Sequence, residues 1–184
     1  SVRNWYRVLA GTVRVVRGLA DGRRHVADFV FSGQMFGIEP GPRRLFAAEA
    51  VEPATVLVYS SDAIDQRVAQ DHLARRAMRQ LLTEQLAAAQ LRAFTLGSLD
   101  GAERVAAFLA AMARRHPTGR IAELAMNRTD IADHLGLTVE TLSRLLTALR
   151  SRGAIRLDGA NRIELCDREY FAGAAGAAPL RHCA

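Results

Sequence analysis

The spacing of apolar positions changes character near residue 60. Before that point, apolar and polar residues alternate in short runs from Trp5 to Tyr59. Thr12-Val13-Arg14-Val15-Val16-Arg17 and His25 to Phe31 alternate on either side of the turn dipeptide Asp21-Gly22, so they predict two strands paired antiparallel as a hairpin. Gly33, Gly37, Pro40, Gly41 and Pro42 punctuate a loop, and two further runs, Leu45 to Val51 and Thr55 to Tyr59, flank the break at Pro53. The pattern predicts a helix-free antiparallel β-roll of jelly-roll type over residues 1–60.

From Ser61-Asp62 onward no Gly or Pro occurs until Gly97, which predicts one uninterrupted helix about 50 Å long. That is more helix than a small domain covers with its own surface. Leu82, Leu86, Ala89, Ala93 and Leu96 recur at intervals of 4, 3, 4 and 3, the seam of a paired helix, and predict a homodimer. Leu73, Ala77 and Leu81 form a separate stripe expected to pack on the roll. Residues 61–97 are thus a dimerisation helix, with Leu96 to Asp100 as a hinge relaxed by Gly97 and capped by Ser98 or Asp100. Asp100 with Glu103 forms a capping box for a helix to about Arg115, which Pro117-Thr118-Gly119 closes before a short run from Arg120 to Ala125.

Residues 127–153 carry the most informative spacing. Asn127 can cap a short helix with Asp130 in its first turn, Ile131 and Leu135 face inward, and Gly136 permits a tight turn. Thr138 then caps a second helix in which Leu142, Leu145, Leu146 and Leu149 form the buried stripe. This leaves Val139, Glu140, Ser143, Arg144 and Thr147 outside, and Gly153 ends the helix. Ala154 to Leu157 and Arg162 to Cys166, joined by Asp158-Gly159-Ala160-Asn161, supply a hairpin wing. Two short helices across a tight turn, the second polar on its exposed face, make a helix-turn-helix. Arg144 can donate twice to guanine O6 and N7, and Glu140 can accept from cytosine N4. Taken alone, Glu140 and Arg144 would be an ordinary ion pair four residues apart; the capped first helix, the turn and the wing favour base reading. The chain therefore reads as α+β: a roll, a long dimerisation helix, and a winged helix-turn-helix over 98–175. A low-complexity Ala/Gly tail at 176–184 is expected to fray.

Composition narrows the classes. At 184 residues the chain holds one domain or two small ones, and 49% apolar with 24% charged residues is ordinary for a folded protein. The longest apolar run, Val105 to Ala113, is half what a membrane span requires, and the N-terminus lacks both an initiator Met and signal-peptide features. A cytoplasmic protein that begins partway through a longer chain is expected. Cys166 and Cys183 exclude a disulfide scaffold and have no metal spacing with any His. Net charge is +6, split +4 and +2 between residues 1–96 and 97–184, so the total does not locate a polyanion site. Within 144–162, however, Arg144, Arg150, Arg152, Arg156 and Arg162 face only Asp158. A metal-dependent enzyme built in the roll would need clustered ligands, and His25 is the only His before residue 72, so no catalysis is expected. Cys166, beside the wing arginines, is a candidate redox-sensitive position.

Asn127 to Ile155 resembles the winged helix-turn-helix of the CRP/FNR superfamily of bacterial transcription regulators. Val139-Glu140-Thr141-Leu142-Ser143-Arg144 is similar to the recognition core of its FNR and FixK branches. Ala102-Glu103-Arg104-Val105-Ala106-Ala107-Phe108-Leu109 is similar to the helix that opens the family's DNA-binding domain. The resemblance spans roughly residues 5–170. It implies that Glu140, Ser143 and Arg144 read bases and that Asn127, Arg128, Thr129, Thr138 and Thr141 contact phosphates; Arg162 on the wing is expected to join the second group. Val139 stands where the cyclic-AMP receptor branch has an Arg, so a TTGA-type half-site is implied, in a palindrome bound by a homodimer that contacts RNA polymerase to activate. Cyclic-nucleotide binders of the superfamily hold phosphate with an Arg-Ser pair and a Gly-Glu loop; here Leu45-Phe46-Ala47-Ala48-Glu49-Ala50 fills that stretch, so no cyclic nucleotide is expected. No Cys precedes Cys166, so the iron–sulfur cluster of the oxygen-sensing branch lacks ligands in this chain, and no cofactor is expected. The family's opening strands would lie upstream of Ser1. The competing readings are a regulator whose small-molecule or redox sensor lies upstream, and a nonspecific DNA-associated protein.

Overall fold

In the computed structural model, the alternating runs form six strands that build two three-stranded antiparallel sheets. They are β1 (Asn4–Ala10), β2 (Thr12–Gly18), β3 (Arg24–Phe31), β4 (Met35–Phe36), β5 (Ala47–Ala50) and β6 (Thr55–Ser60), in the orders β4-β1-β6 and β3-β2-β5. The structure describes residues 4–20, 22, 24–39, 43–159 and 161–174. Asp21 of the anticipated turn, residues 40–42 of the loop and the tail from 175 on, with Cys183, lie outside these. The β2–β3 hairpin pairs Thr12 with Phe31 and Gly18 with Arg24. Val8 of β1, Val13 and Val30 form a core cluster, with Val15, Phe36 and Ala54 packed against them. Gly11, between β1 and β2, has φ +79, and a methyl group there would lie 2.4 Å from the Pro53 carbonyl oxygen; only glycine fits.

The single predicted helix is two. α1 (Ser61–Gln70) stops at Asp71, whose backbone is extended, and α2 (His72–Ser98) begins after it. No Gly or Pro marks this break. The Asp71 carboxylate makes it, accepting from the Leu73 amide at 2.8 Å while pairing with Arg67 at 2.8 Å. The half-buried stripe of α2 is also displaced from the expected set of Leu73, Ala77 and Leu81. Leu73 is 62% exposed and Ala77 is exposed, whereas Ala74, Met78 and Leu81 are half-buried. Two successive steps of four residues drift about 80° round an α-helix, while a four followed by a three holds one face. Further along, Arg92 pairs with Asp28 at 2.5 Å and reaches the Ala27 carbonyl. Ala27 is the residue the β2–β3 register skips between Val15–Asp28 and Val16–Val26. α2 runs through Gly97, so the chain leaves the helix at Leu99-Asp100 rather than at the glycine.

The chain divides into two compact units, Ser1–Ala93 and Phe94–Ala184. The second contains α3 (Gly101–Ala113), β7 (Ile121–Glu123), α4 (Arg128–His134), α5 (Val139–Ser151), β8 (Ile155–Leu157), β9 (Arg162–Leu165) and α6 (Arg168–Ala174). Asp100 and Glu103 form the capping box, each side chain accepting from the other's amide at 2.9 and 2.8 Å. β9 lies between β7 and β8 in one antiparallel sheet. Leu109, Ile131 and Leu142 from the helices and Ile163 from β9 are fully buried in this unit. α6, which no periodicity marks, is capped by Asp167 and buries Phe171. None of the described helices is long and apolar enough to cross a membrane.

Leu142 is 1% exposed, so Leu142→Ala is expected to destabilise the protein by about 2–5 kcal/mol. Asp100→Ala, which removes only a cap, is expected to cost about 1 kcal/mol. Urea unfolding followed by circular dichroism checks the order; equal costs would contradict the assigned core.

Candidate nucleic-acid interface

The polar face of α5 is fixed from its ends inward. Asn127 Oδ1 accepts from the Asp130 amide at 2.8 Å and caps α4. Leu135 ends that helix, and Gly136 turns the chain with φ +64 while its amide and that of Leu137 bond back to Asp133 and Ala132. Thr138 Oγ1 accepts from the Thr141 amide at 3.1 Å and starts α5. Leu142, Leu146 and Leu149 are buried, and Leu145 is half-buried at the margin of the stripe.

This geometry leaves most of the residues expected to meet DNA exposed. Glu140, Ser143, Arg144 and Thr147 are exposed on α5, and Val139 is half-buried at its first position. Thr138 and Thr129 are exposed, and Thr141 is half-buried with its hydroxyl 3.0 Å from that of Thr138. The Glu140 carboxyl is held below its ordinary range by its own backbone amide, then by the Thr138 hydroxyl and the charge of Arg144. It is therefore ionised at neutral pH and can only accept hydrogen bonds. Arg128 is less open than a phosphate-seeking arginine need be: it is half-buried, burial weakens its hold on its proton, and its buried Nη1 has no hydrogen-bond partner among the described residues.

On the wing, folding changes the charge pattern expected from residues 144–162. Glu123 from β7 and Glu164 from β9 come up beside the arginines. Arg156 pairs with Glu164, and Arg162 reaches Asp158 at 3.3 Å and Glu123 at 4.0 Å. Arg152 is drawn away to stack over Tyr170 at 3.8 Å. Cys166 sits just past β9 at the root of the wing, exposed, with its amide donating to the Ala154 carbonyl at 2.9 Å. The seam residues Leu82, Leu86, Ala89, Ala93 and Leu96 all lie exposed on α2, Leu86 at 59%.

The roll holds a cavity of about 450 Å³ lined by Phe46, Ala47, Ala48, Val13 and Val15, and also by Arg44 and Glu39, which sequence reasoning passed over. They sit in a segment without periodicity, and only the folded strands bring them to this apolar lining. The Arg44 guanidinium is engaged by the carbonyls of Gly37 and Asn4 and lies over the Tyr6 ring, and Glu39 accepts from the Leu45 amide.

Residues 103–173 match the Crp-like helix-turn-helix domain, and residues 1–71 match the cyclic nucleotide-binding domain. The chain is 38% identical over 164 residues to the nitrogen fixation regulation protein FixK of Rhizobium meliloti, covering 89% of this chain and 74% of the relative. It is 34% identical over 148 residues to the transcriptional activatory protein AadR of Rhodopseudomonas palustris, covering 78% of this chain and 62% of that protein. Among solved structures, FixK2 from Bradyrhizobium japonicum superposes with a TM-score of 0.87 at 34% identity, covering 96% of this chain and 89% of the other. These relatives are regulators and not enzymes. With a roll, a long helix and a winged helix-turn-helix in the family's order, the chain belongs to the CRP/FNR family and is a DNA-binding transcription regulator of its FixK-like branch.

Proposed function

We propose that this regulator acts in the cytoplasm as a homodimer joined through α2, binds a palindromic site of TTGA type, and activates transcription by contacting RNA polymerase. Residues 1–60 serve as the effector-type roll, 61–97 as the dimerisation helix and hinge, and 98–175 as the DNA-binding domain. The observation that carries this reading is the exposed face of α5, where Glu140, Ser143 and Arg144 stand clear of the buried leucines. Arg144 reads a guanine through two donors, and the ionised Glu140 accepts from a cytosine amino group. Asn127, Arg128, Thr129, Thr138, Thr141 and Arg162 hold phosphates, which positions the helix without specifying sequence. The exposed seam from Leu82 to Leu96 supports the dimer, because α2 buries none of its 27 residues within this chain. Activation is supported by the likeness to AadR, itself a transcriptional activatory protein.

Cyclic AMP and cyclic GMP are not effectors in this reading. A buried phosphodiester needs cations and donors to spare; Phe46 and Ala47 offer none, and Arg44 already serves two carbonyls.

Selection of duplexes from a random pool by the purified protein tests the central claim, and an inverted TTGA repeat is the expected product. On that product Arg144→Ala is expected to lose about 1–3 kcal/mol per half-site and to relax preference at one base pair. Glu140→Ala separates reading from attraction: tighter binding to selected and random DNA alike would show that α5 does not read sequence.

Leu86→Glu with Ala93→Glu places charge in the seam, where desolvation is costly. Analytical ultracentrifugation is expected to report monomer, and a persistent dimer would remove the interface from this face of α2. In isothermal titration, cyclic AMP is expected to give no binding heat with the protein; a saturable isotherm would overturn the reading of the roll.

A further inference from the structure

Arg104, in the first turn of α3, reaches two helix ends at once. Its Nε donates to the Leu99 carbonyl at 3.0 Å and its Nη1 donates to the Leu135 carbonyl at 3.0 Å. Leu99 follows the last residue of α2, and Leu135 is the C-cap of α4. Carbonyls at helix C-termini have no intrahelical donor and carry the negative end of the helix dipole. One guanidinium therefore meets two acceptors that both favour a cation, and its planar fork suits two divergent partners as an ammonium does not.

The surroundings leave this clasp little freedom. A methyl group at Gly136 would lie 3.4 Å from Arg104 Nη1 and 3.9 Å from Leu96 Cδ2. One at Gly101 would lie 3.2 Å from Leu137 Cδ2 and 3.5 Å from Leu145 Cδ1. The final turn of α2, the start of α3 and the turn that launches α5 are thus close-packed around one charged side chain, and Leu96 belongs at the same time to the proposed dimer seam.

We propose that Arg104 is a positioning residue for DNA reading: it fastens the end of α2 to the α4–α5 turn, so that the dimer helix dictates where each recognition helix is held. The inference rests on the homodimer reading above. A dimer binds a palindrome well only if its two reading helices keep the spacing of the half-sites. With the clasp open, each helix-turn-helix swings more freely, and the advantage of binding the second half-site within the same complex falls.

The test uses the full chain and duplexes bearing two inverted TTGA half-sites at a graded series of spacings, with a single half-site duplex as reference, read by fluorescence anisotropy. The unaltered protein is expected to prefer one spacing by about tenfold over neighbours one or two base pairs away. Arg104→Gln is expected to cut that preference to about threefold or less while leaving the single half-site affinity within about twofold. Arg104→Lys, which can satisfy one carbonyl but not both, is expected to fall between the two, and it carries the test if the glutamine variant fails to fold. Proportional loss on every duplex with spacing preference intact, or no change in either folded variant, would overturn the positioning role. Absence of any spacing preference in the unaltered protein would instead remove the homodimer reading and the inference together.

Discussion

Burial of Leu142, Leu146 and Leu149 beneath α5 holds every polar group that the helix can offer to DNA, because a helix with one face committed has only the opposite face to give. These side chains are between 1 and 7% exposed, and burying each contributes about 1.5–3 kcal/mol. Rolling α5 about its axis would sacrifice that burial. Thr138 and Asn127 secure the starts of the two helices, and Gly136 sets the angle between them. The outward set Glu140, Ser143, Arg144 and Thr147 is therefore a consequence of the inward set, related by the 3.6-residue period. Arg104 extends the same logic by one layer, holding the turn that α5 departs from.

Charge on the reading unit is local. The wing arginines already have carboxylate partners, and exposed pairs of this kind contribute about 0–1 kcal/mol to stability. In the proposed complex Arg162 would exchange Asp158 and Glu123 for a phosphate before contributing to binding. Such an exchange would weaken general attraction to polyanions and leave a larger share of the affinity to Arg144 and Glu140, the proposed base readers. A regulator gains by this division, since nonspecific binding across a genome competes with its sites.

The helix that joins the two units follows a different rule. α2 is 27 residues long and buries none of them, although Leu82, Leu86, Leu91 and Phe94 are all exposed. Helices draw most of their stability from packing one apolar face. The same feature that makes α2 incomplete alone makes it suited to a second copy, while the Arg92–Asp28 pair ties the helix to the roll.

Local sequence was sufficient wherever the controlling interaction lies within a few residues. The Asp100–Glu103 box, the caps at Asn127 and Thr138, the turn at Gly136 and the leucine stripe of α5 are all short-range, and each could be read from spacing. The seam positions of α2 follow from spacing in the same way, and the pairing they imply belongs to the proposed dimer. Tertiary structure decided what depends on distant partners. The break at Asp71 carries no Gly or Pro, and the half-buried stripe of α2 depends on the helical phase after that break. Glu123 and Glu164 pair with the wing arginines only once β7, β8 and β9 lie side by side; Arg44 and Glu39 come to line the roll cavity only once the strands around it have paired. The clasp of Arg104 joins residues 31 positions apart. Periodicity records which side of an element is apolar. It holds no information about which charge will stand opposite which, because that pairing exists only after the elements have packed.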